Sequence, residues 1–140
     1  MSTIGFDTSN YTTSTAWTDG KTDINVRQIL YVKDGERGIR QSDGVFQHMK
    51  LMPVMYEKLS EQIDFKDVKA VGVSTRPRCV EGSYMPVFLA GEGYAKVVAN
   101  TLGVPLYEFS HQDGHIMAGI YSSGSFELLE NDFISVHLSG

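Results

Sequence analysis

Residues Thr3–Val32 read TIGFDTSNYTTSTAWTDGKTDINVRQILYV. Three strand-like runs lie in this stretch. Thr3–Thr8 is short and ends in the turn formers Asp7-Thr8-Ser9-Asn10. Thr12–Thr18 is rich in threonine, and the Asp19-Gly20 pair after it is a strong hairpin signal. Ile24–Val32 alternates at first, turns apolar at Ile29–Val32 and closes on Asp34-Gly35. Links this short leave room only for antiparallel neighbours, so the chain opens with a three-stranded meander.

Downstream the pattern changes period. Val45, Met49, Met52, Tyr56, Leu59 and Ile63 recur at spacings of four and three, which predicts a helix with one apolar stripe. Ser42 or Asp43 is placed to cap its start, and Pro53 is expected to kink or divide it. Met49, Met52 and Met55 read as core fillers. Ala70–Ser74 is a short apolar strand, expected to be buried and parallel to the first. A polar loop over Arg76–Gly82 leads to a helix from about Met85 to Leu102, with Gly103 as its C-cap. Leu106–Phe109 reads as a strand and His111–Tyr121 as a helix. Ser122–Ser125 is a turn of small residues, and Phe133–Leu138 reads as a last strand.

Three antiparallel strands followed by strand–helix crossovers make an α/β fold of the ribonuclease H-like kind. The expectation is a mixed five-stranded sheet with helices on both faces, as in one lobe of the actin-like ATPase superfamily. Residues 1–130 form that lobe, and residues 131–140 begin a second lobe that is truncated or missing.

Composition narrows the function classes. With 140 residues, 41% hydrophobic and 21% charged, the chain suits one globular unit. Its net charge of −5 and its two short arginine pairs disfavour direct binding of nucleic acid by this chain alone. The single cysteine, Cys79, has no local histidine partner and reads as a structural or incidental thiol. Absence of a leader-like start and of any run of about 18 apolar residues points to a reducing, cytoplasmic setting with no membrane.

Four motifs carry candidate chemistry. In Ser110-His-Gln-Asp-Gly-His115, His111 and His115 stand four apart, one above the other on a helix, where two imidazoles can share one metal ion. Two ligands are too few for a site, and such pairs also occur as surface or capping pairs. In Gly5–Ser9 a strand ends in Asp and hydroxyl residues able to face a phosphate, or forms an ordinary hairpin tip. Arg76 and Arg78 follow the parallel strand, where ligands sit in open α/β sheets. They suit an anion, or else pair with neighbours such as Glu81. Val136–Gly140 runs a strand into Ser139-Gly140, the start of a phosphate-binding turn, with His137 read as a satisfied strand histidine.

Taken in order, these motifs resemble the glycoprotease-like family, once described as O-sialoglycoprotein endopeptidase and associated with threonylcarbamoyl-adenosine formation on tRNA. Gly5–Ser9 resembles that family's Gly-Ile-[Asp/Glu]-Thr-Ser opening, and Phe46-Gln47-His48 its helix with an early histidine. Ser110–His115 is similar to its His-His-x-Glu-Gly-His segment, and Phe133–Gly140 to its strand into a Ser-Gly-Gly turn. The resemblance implies a divalent metal, iron or zinc, held by His111 and His115. It implies nucleotide phosphates near Ser9, Asn10, Ser139 and Gly140, and ATP with magnesium in the intact protein. A third metal ligand, an Asp, and most of the adenosine pocket would come from a second lobe.

The chain also departs from the family. Arg76-Pro77-Arg78 stands where the family has Gly-Pro-Gly, and the loop to Gly91 is longer. Ser110 and Asp113 replace His and Glu. Residues Thr75–Phe88 look like a feature of a paralogous branch often still labelled glycoprotease. The implied partners are a nucleotide or acyl-adenylate, the second lobe, and related lobes in homo- or heterodimers. Three functions compete: an enzyme lobe, a non-catalytic dimerisation platform, and a metallopeptidase. The last lacks His-Glu-x-x-His, because Gln112, Asp113 and Gly114 separate the histidines.

Overall fold

A computed structural model describes residues 1–138. The strands are β1 (Ser2–Asp7), β2 (Thr12–Thr18), β3 (Asp23–Ile29), β4 (Val68–Arg76) and β5 (Leu106–Ser110), and the helices are α1 (Gln41–Ser60), α2 (Phe88–Leu102) and α3 (His111–Ser123). Short 3-10 turns occupy Phe65–Asp67 and Phe126–Glu130. The sheet order is β3-β2-β1-β4-β5. β1 pairs antiparallel with β2 and parallel with β4, and β5 is parallel to β4. These are the order and directions of the ribonuclease H-like unit.

One face of the sheet carries the core. Ile4 and Phe6 of β1 and Val71 and Val73 of β4 pack against Met52 and Leu59 of α1 and Ala95 and Ala99 of α2. Alternation along the strands sends the other side chains to the second face. There the row Asn25, Ala16, Gly5, Gly72, Tyr107 crosses all five strands. α3 spans this second face from the end of β1 toward β3, where the Tyr121 hydroxyl comes within 3.5 Å of Asp23. Sheet and helix enclose an open cavity of about 1400 Å³, with His111 and His115 among its lining residues.

The buried stripe of α1 is Gly44, His48, Met52, Met55 and Leu59, not the apolar set that periodicity selects. Met49 is 53% exposed, so it is not a core filler. Two contacts set this rotation. A Cβ on Gly44 would lie 2.9 Å from Val87 Cγ1, so the helix can approach only with its glycine inward. His48, fully buried, bonds the Thr13 hydroxyl (2.7 Å) and the Asn10 carbonyl (3.2 Å). Neither Ser42 nor Asp43 caps α1. The N-cap is Arg40, two residues before Ser42, and it makes no side-chain cap.

Pro53 does not divide α1, which runs unbroken for 20 residues. The proline lacks the N–H that would serve the Met49 carbonyl. The Tyr94 hydroxyl donates to that carbonyl instead, at 2.8 Å. Tyr94→Phe should therefore lose about 1 kcal/mol, read as a lower urea midpoint with an unchanged slope.

Residues Phe133–Leu138 are not a strand. Ile134 is 94% and Leu138 88% exposed. A strand needs a neighbour for its peptide groups, and no strand among the described residues lies beside this one. The Ser139-Gly140 turn lies outside the described residues.

Candidate metal and nucleotide site

The parallel strands β1, β4 and β5 end together, and α3 starts directly from the end of β5. Ser110 is the hinge. Its side chain accepts the Asp113 N–H at 3.1 Å, and the Asp113 carboxylate accepts the Ser110 N–H at 3.0 Å. This capping box holds the first turn firmly and spends Asp113 on the backbone.

His111 and His115 occupy successive turns of α3 on one face, with ring centroids 4.3 Å apart. Their Nε2 atoms approach to 2.8 Å. Two nitrogens on one tetrahedral ion stand roughly 3.3 Å apart, so a small opening of the pair suits a shared ion. His111 Nδ1 lies 2.9 Å from Asp7 Oδ2 at the end of β1. The imidazole donates there, which keeps the hydrogen on Nδ1 and leaves the Nε2 lone pair directed at His115. A carboxylate behind a histidine is the usual support of a metal ligand.

Burial alone would raise the Asp7 pKa. Hydrogen bonds from His111, Ser74 and Ser9 outweigh it and bring the group down to about 2. Asp7 is thus a fixed negative charge under the histidine pair. His115 is held below its ordinary value, by burial first and then by His111 and His137. The start of α3 also disfavours a cation. Both effects favour the neutral imidazole.

Ser9, expected beside a phosphate, sits at the histidine pair. Its backbone N–H donates to Asp7 Oδ1 at 2.8 Å, its hydroxyl also bonds Asp7, and that hydroxyl lies 3.4 Å from His111 Nε2. Asn10 is exposed next to it, with φ of 45° and its carbonyl held by His48. Arg76 ends β4 in register with Ser110, beside the start of α3. Its guanidinium reaches the Thr75 hydroxyl at 3.1 Å. Arg78 is exposed. Among the described residues neither arginine has an acidic partner, so the expected pairing with Glu81 does not form. Cys79 is exposed and free.

Two members of this neighbourhood escape the sequence reading. Asp7 reads as part of a phosphate turn, whereas it backs a histidine far along the chain. His137 reads as a strand histidine, whereas it lies in an exposed coil with its ring 4.9 Å from that of His115. Among the described residues, no three His, Cys, Asp or Glu side chains are already gathered closely enough to hold an ion. No described helix is long and apolar enough to cross a membrane.

Comparison with known proteins places these features in context. No family model matches the chain. It is 29% identical over 128 residues to the tRNA N6-adenosine threonylcarbamoyltransferase of Pyrobaculum calidifontis, covering 90% of this chain and 36% of that protein. The enzyme of the same name from Christiangramia forsetii is 31% identical over 91 residues, 64% of this chain and 25% of its own length. The Clostridium kluyveri enzyme is 33% identical over 95 residues, covering 66% and 26%. The chain therefore spans between a quarter and little more than a third of the length of these curated relatives.

Among solved structures, YeaZ from Pseudomonas aeruginosa superposes with a TM-score of 0.56 at 15% identity, covering 79% of this chain and 43% of that one. An uncharacterised protein with similarity to peptidase YeaZ, from the same organism, gives 0.57 at 14%, covering 78% and 43%. The fold is shared with these proteins. The resemblance to the glycoprotease-like, threonylcarbamoyl-transferring family is borne out as that of a divergent lobe.

Proposed function

We propose that this chain is the N-terminal lobe of a metal- and nucleotide-binding protein related to the tRNA threonylcarbamoyltransferases, and that it supplies one wall of a site completed by a second lobe. One observation carries the reading: the Nε2 atoms of His111 and His115 meet at 2.8 Å on a helix whose first histidine is backed by ionised Asp7. The donor set, two imidazoles and a supporting carboxylate, suits iron or zinc.

His111 and His115 would hold the ion. A divalent cation there supplies a Lewis acid for a nucleotide-linked carbonyl. The rest falls to the chain's own groups. Asp7 keeps the His111 hydrogen on Nδ1. Ser9 fixes Asp7. Asn10 and the unpaired Arg76 and Arg78 offer polar and positive groups to a phosphate or carboxylate at the strand ends. Ser139 and Gly140 belong to the same proposal by position in the sequence, as does the start of a second lobe over residues 131–140.

The test is metal content. The full-length protein is expected to copurify with about one zinc or iron per site and to lose it in the His111→Ala/His115→Ala double variant. Full metal retention by that variant would falsify the assignment.

A non-catalytic platform is the second reading. It is favoured by Arg76-Pro77-Arg78, which puts long side chains where close backbone approach to a ligand needs small ones. Calorimetry with ATP on the intact protein separates the two: the enzyme lobe predicts heat of binding, and the platform predicts none at millimolar nucleotide. A metallopeptidase finds less support, since Asp113, the only carboxylate between the histidines, is committed to the helix cap.

A further inference from the structure

β3 is last in the sheet order, and its outer edge is bare. The hydrogen bonds flanking the β2–β3 ladder fix which backbone groups lie there. The Asp19 N–H donates to the Thr22 carbonyl at one end, and the Leu30 N–H donates to the Tyr11 carbonyl at the other. In the register that joins them, Ile24, Val26 and Gln28 bond β2. Asp23, Asn25, Arg27 and Ile29 therefore turn their N–H and C=O groups outward. At Tyr31, the next outward position, the Gln47 side chain takes both groups, accepting the N–H at 2.8 Å and donating to the carbonyl at 3.0 Å. From Asp23 to Ile29 no strand, turn or loop among the described residues bonds this edge. The last described coil runs elsewhere, to His115.

The edge is complementary to itself. Asp23 and Arg27 are exposed, share the second face of the sheet, and have no ion-pair partner among the described residues. Ile24 and Val26, half-buried, share the core face. Against an antiparallel second copy with Asn25 opposite itself, Asp23 meets Arg27 twice and Ile24 meets Val26 twice. The backbone agrees, because Asp23–Arg27 and Asn25–Asn25 become the hydrogen-bonded pairs, built from the outward groups alone. Other registers lose the charge match. Centring on Ile24 sets Lys21 against Arg27, and centring on Val26 leaves Asp23 against Ile29 and Arg27 against Asn25. Centring on Asp23 or Arg27 sets like charge on like. Below the joint, Val54 is 45% exposed, two turns along α1 from Gln47 and on the flank from which Gln47 reaches the end of β3.

We infer that β3 is a self-association edge, through which two copies of this chain pair antiparallel about a two-fold axis at Asn25 and join their five-stranded sheets into one. The occupant is a second copy because the charges match the strand's own reversal. The contact uses up the β3 edge of both copies, so it closes at two. It does not depend on the proposed metal site.

The experiment is sedimentation equilibrium of the full-length protein over a concentration series, with amide exchange followed by NMR. The wild type is expected to dimerise. Asp23→Arg and Arg27→Asp each set like charges opposite one another twice, and each should weaken the dimer about tenfold or more. The double variant Asp23→Arg/Arg27→Asp matches the charges again and should return to near wild-type affinity. Asn25→Pro removes an outward N–H without touching the β2 ladder and should abolish the dimer. Unchanged melting of the dilute variants verifies their folding, and if Asn25→Pro does not fold the charge cycle decides alone. On dimerisation the Asn25 and Arg27 amides should exchange more slowly, while that of Val26, already bonded to β2, stays as it is. A wild type that is monomeric throughout overturns the inference. So does a dimer that survives Asn25→Pro, or one that the double reversal fails to restore.

Discussion

Replacing His48 by alanine is expected to cost about 3 kcal/mol, the combined loss of a buried side chain and of two buried hydrogen bonds. His48 is fully buried. Its Nδ1 accepts from the Thr13 hydroxyl at 2.7 Å, and its Nε2–H donates to the Asn10 carbonyl at 3.2 Å. Both partners lose their bond in the variant, and Thr13 stays in the core with its hydroxyl. For a chain of this length the melting temperature should fall by roughly 10 °C.

The pH dependence supplies a second signature. Burial, only partly offset by the Asn10 carbonyl and the Asp7 charge, lowers the His48 pKa from its ordinary 6.5. The unfolded chain then takes up a proton before the folded one does. His48 stability is therefore fully present above pH 6.5 and is lost as the pH falls from there toward the lower folded value. Melting at pH 8 and pH 5 should show a smaller acid loss for the variant than for the wild type. An equal loss would show that this histidine does not carry the acid sensitivity.

Gly91→Val should be about as damaging, near 3 kcal/mol, although valine is a better helix former than glycine. A Cβ at Gly91 would stand 2.9 Å from Thr8 Oγ1 and 3.3 Å from its methyl group. Thr8 cannot yield cheaply. It is completely buried, its hydroxyl donates to the Val87 carbonyl at 2.8 Å, and it accepts the Gly91 N–H at 3.0 Å. These two bonds fasten the start of α2 to the end of β1. Gly93, two residues further round the same helix, is exposed with open space where its Cβ would be. Gly93→Ala should gain about 1 kcal/mol from helix propensity alone. Opposite signs two residues apart, read as urea midpoints, test the contact rather than the helix.

Much of the architecture is legible in local patterns. The hairpin signal at Asp19-Gly20, the threonine-rich second strand and the apolar run Ala70–Ser74 each act over a few residues, and each produces its element. Gly103 takes the left-handed conformation at the end of α2. The His111–His115 pair is legible for the same reason, since helical spacing is itself local.

What escapes depends on contacts between distant segments. The inward face of α1 is chosen by Gly44 and His48, which no hydrophobic stripe would select. Pro53 is harmless because Tyr94, on another helix, serves the carbonyl it leaves free. The last strand fails because alternating apolar residues cannot form a ladder without a neighbour. Asp7 meets His111 only once β1 and β5 share a sheet, and no spacing rule announces that meeting.

The sheet order has a consequence for how the chain is made. β1 stands at the centre, yet one of its two neighbours, β4, lies beyond β2, β3 and a 20-residue helix. A ribosome that has released the first three strands has delivered a hairpin ladder with β1 as a bare edge, its Ile4 and Phe6 uncovered. That edge stays open until Ala70–Val73 emerges and pairs with Thr3–Phe6. Synthesis paused between these segments should raise the fraction of chains that associate through β1 instead of folding.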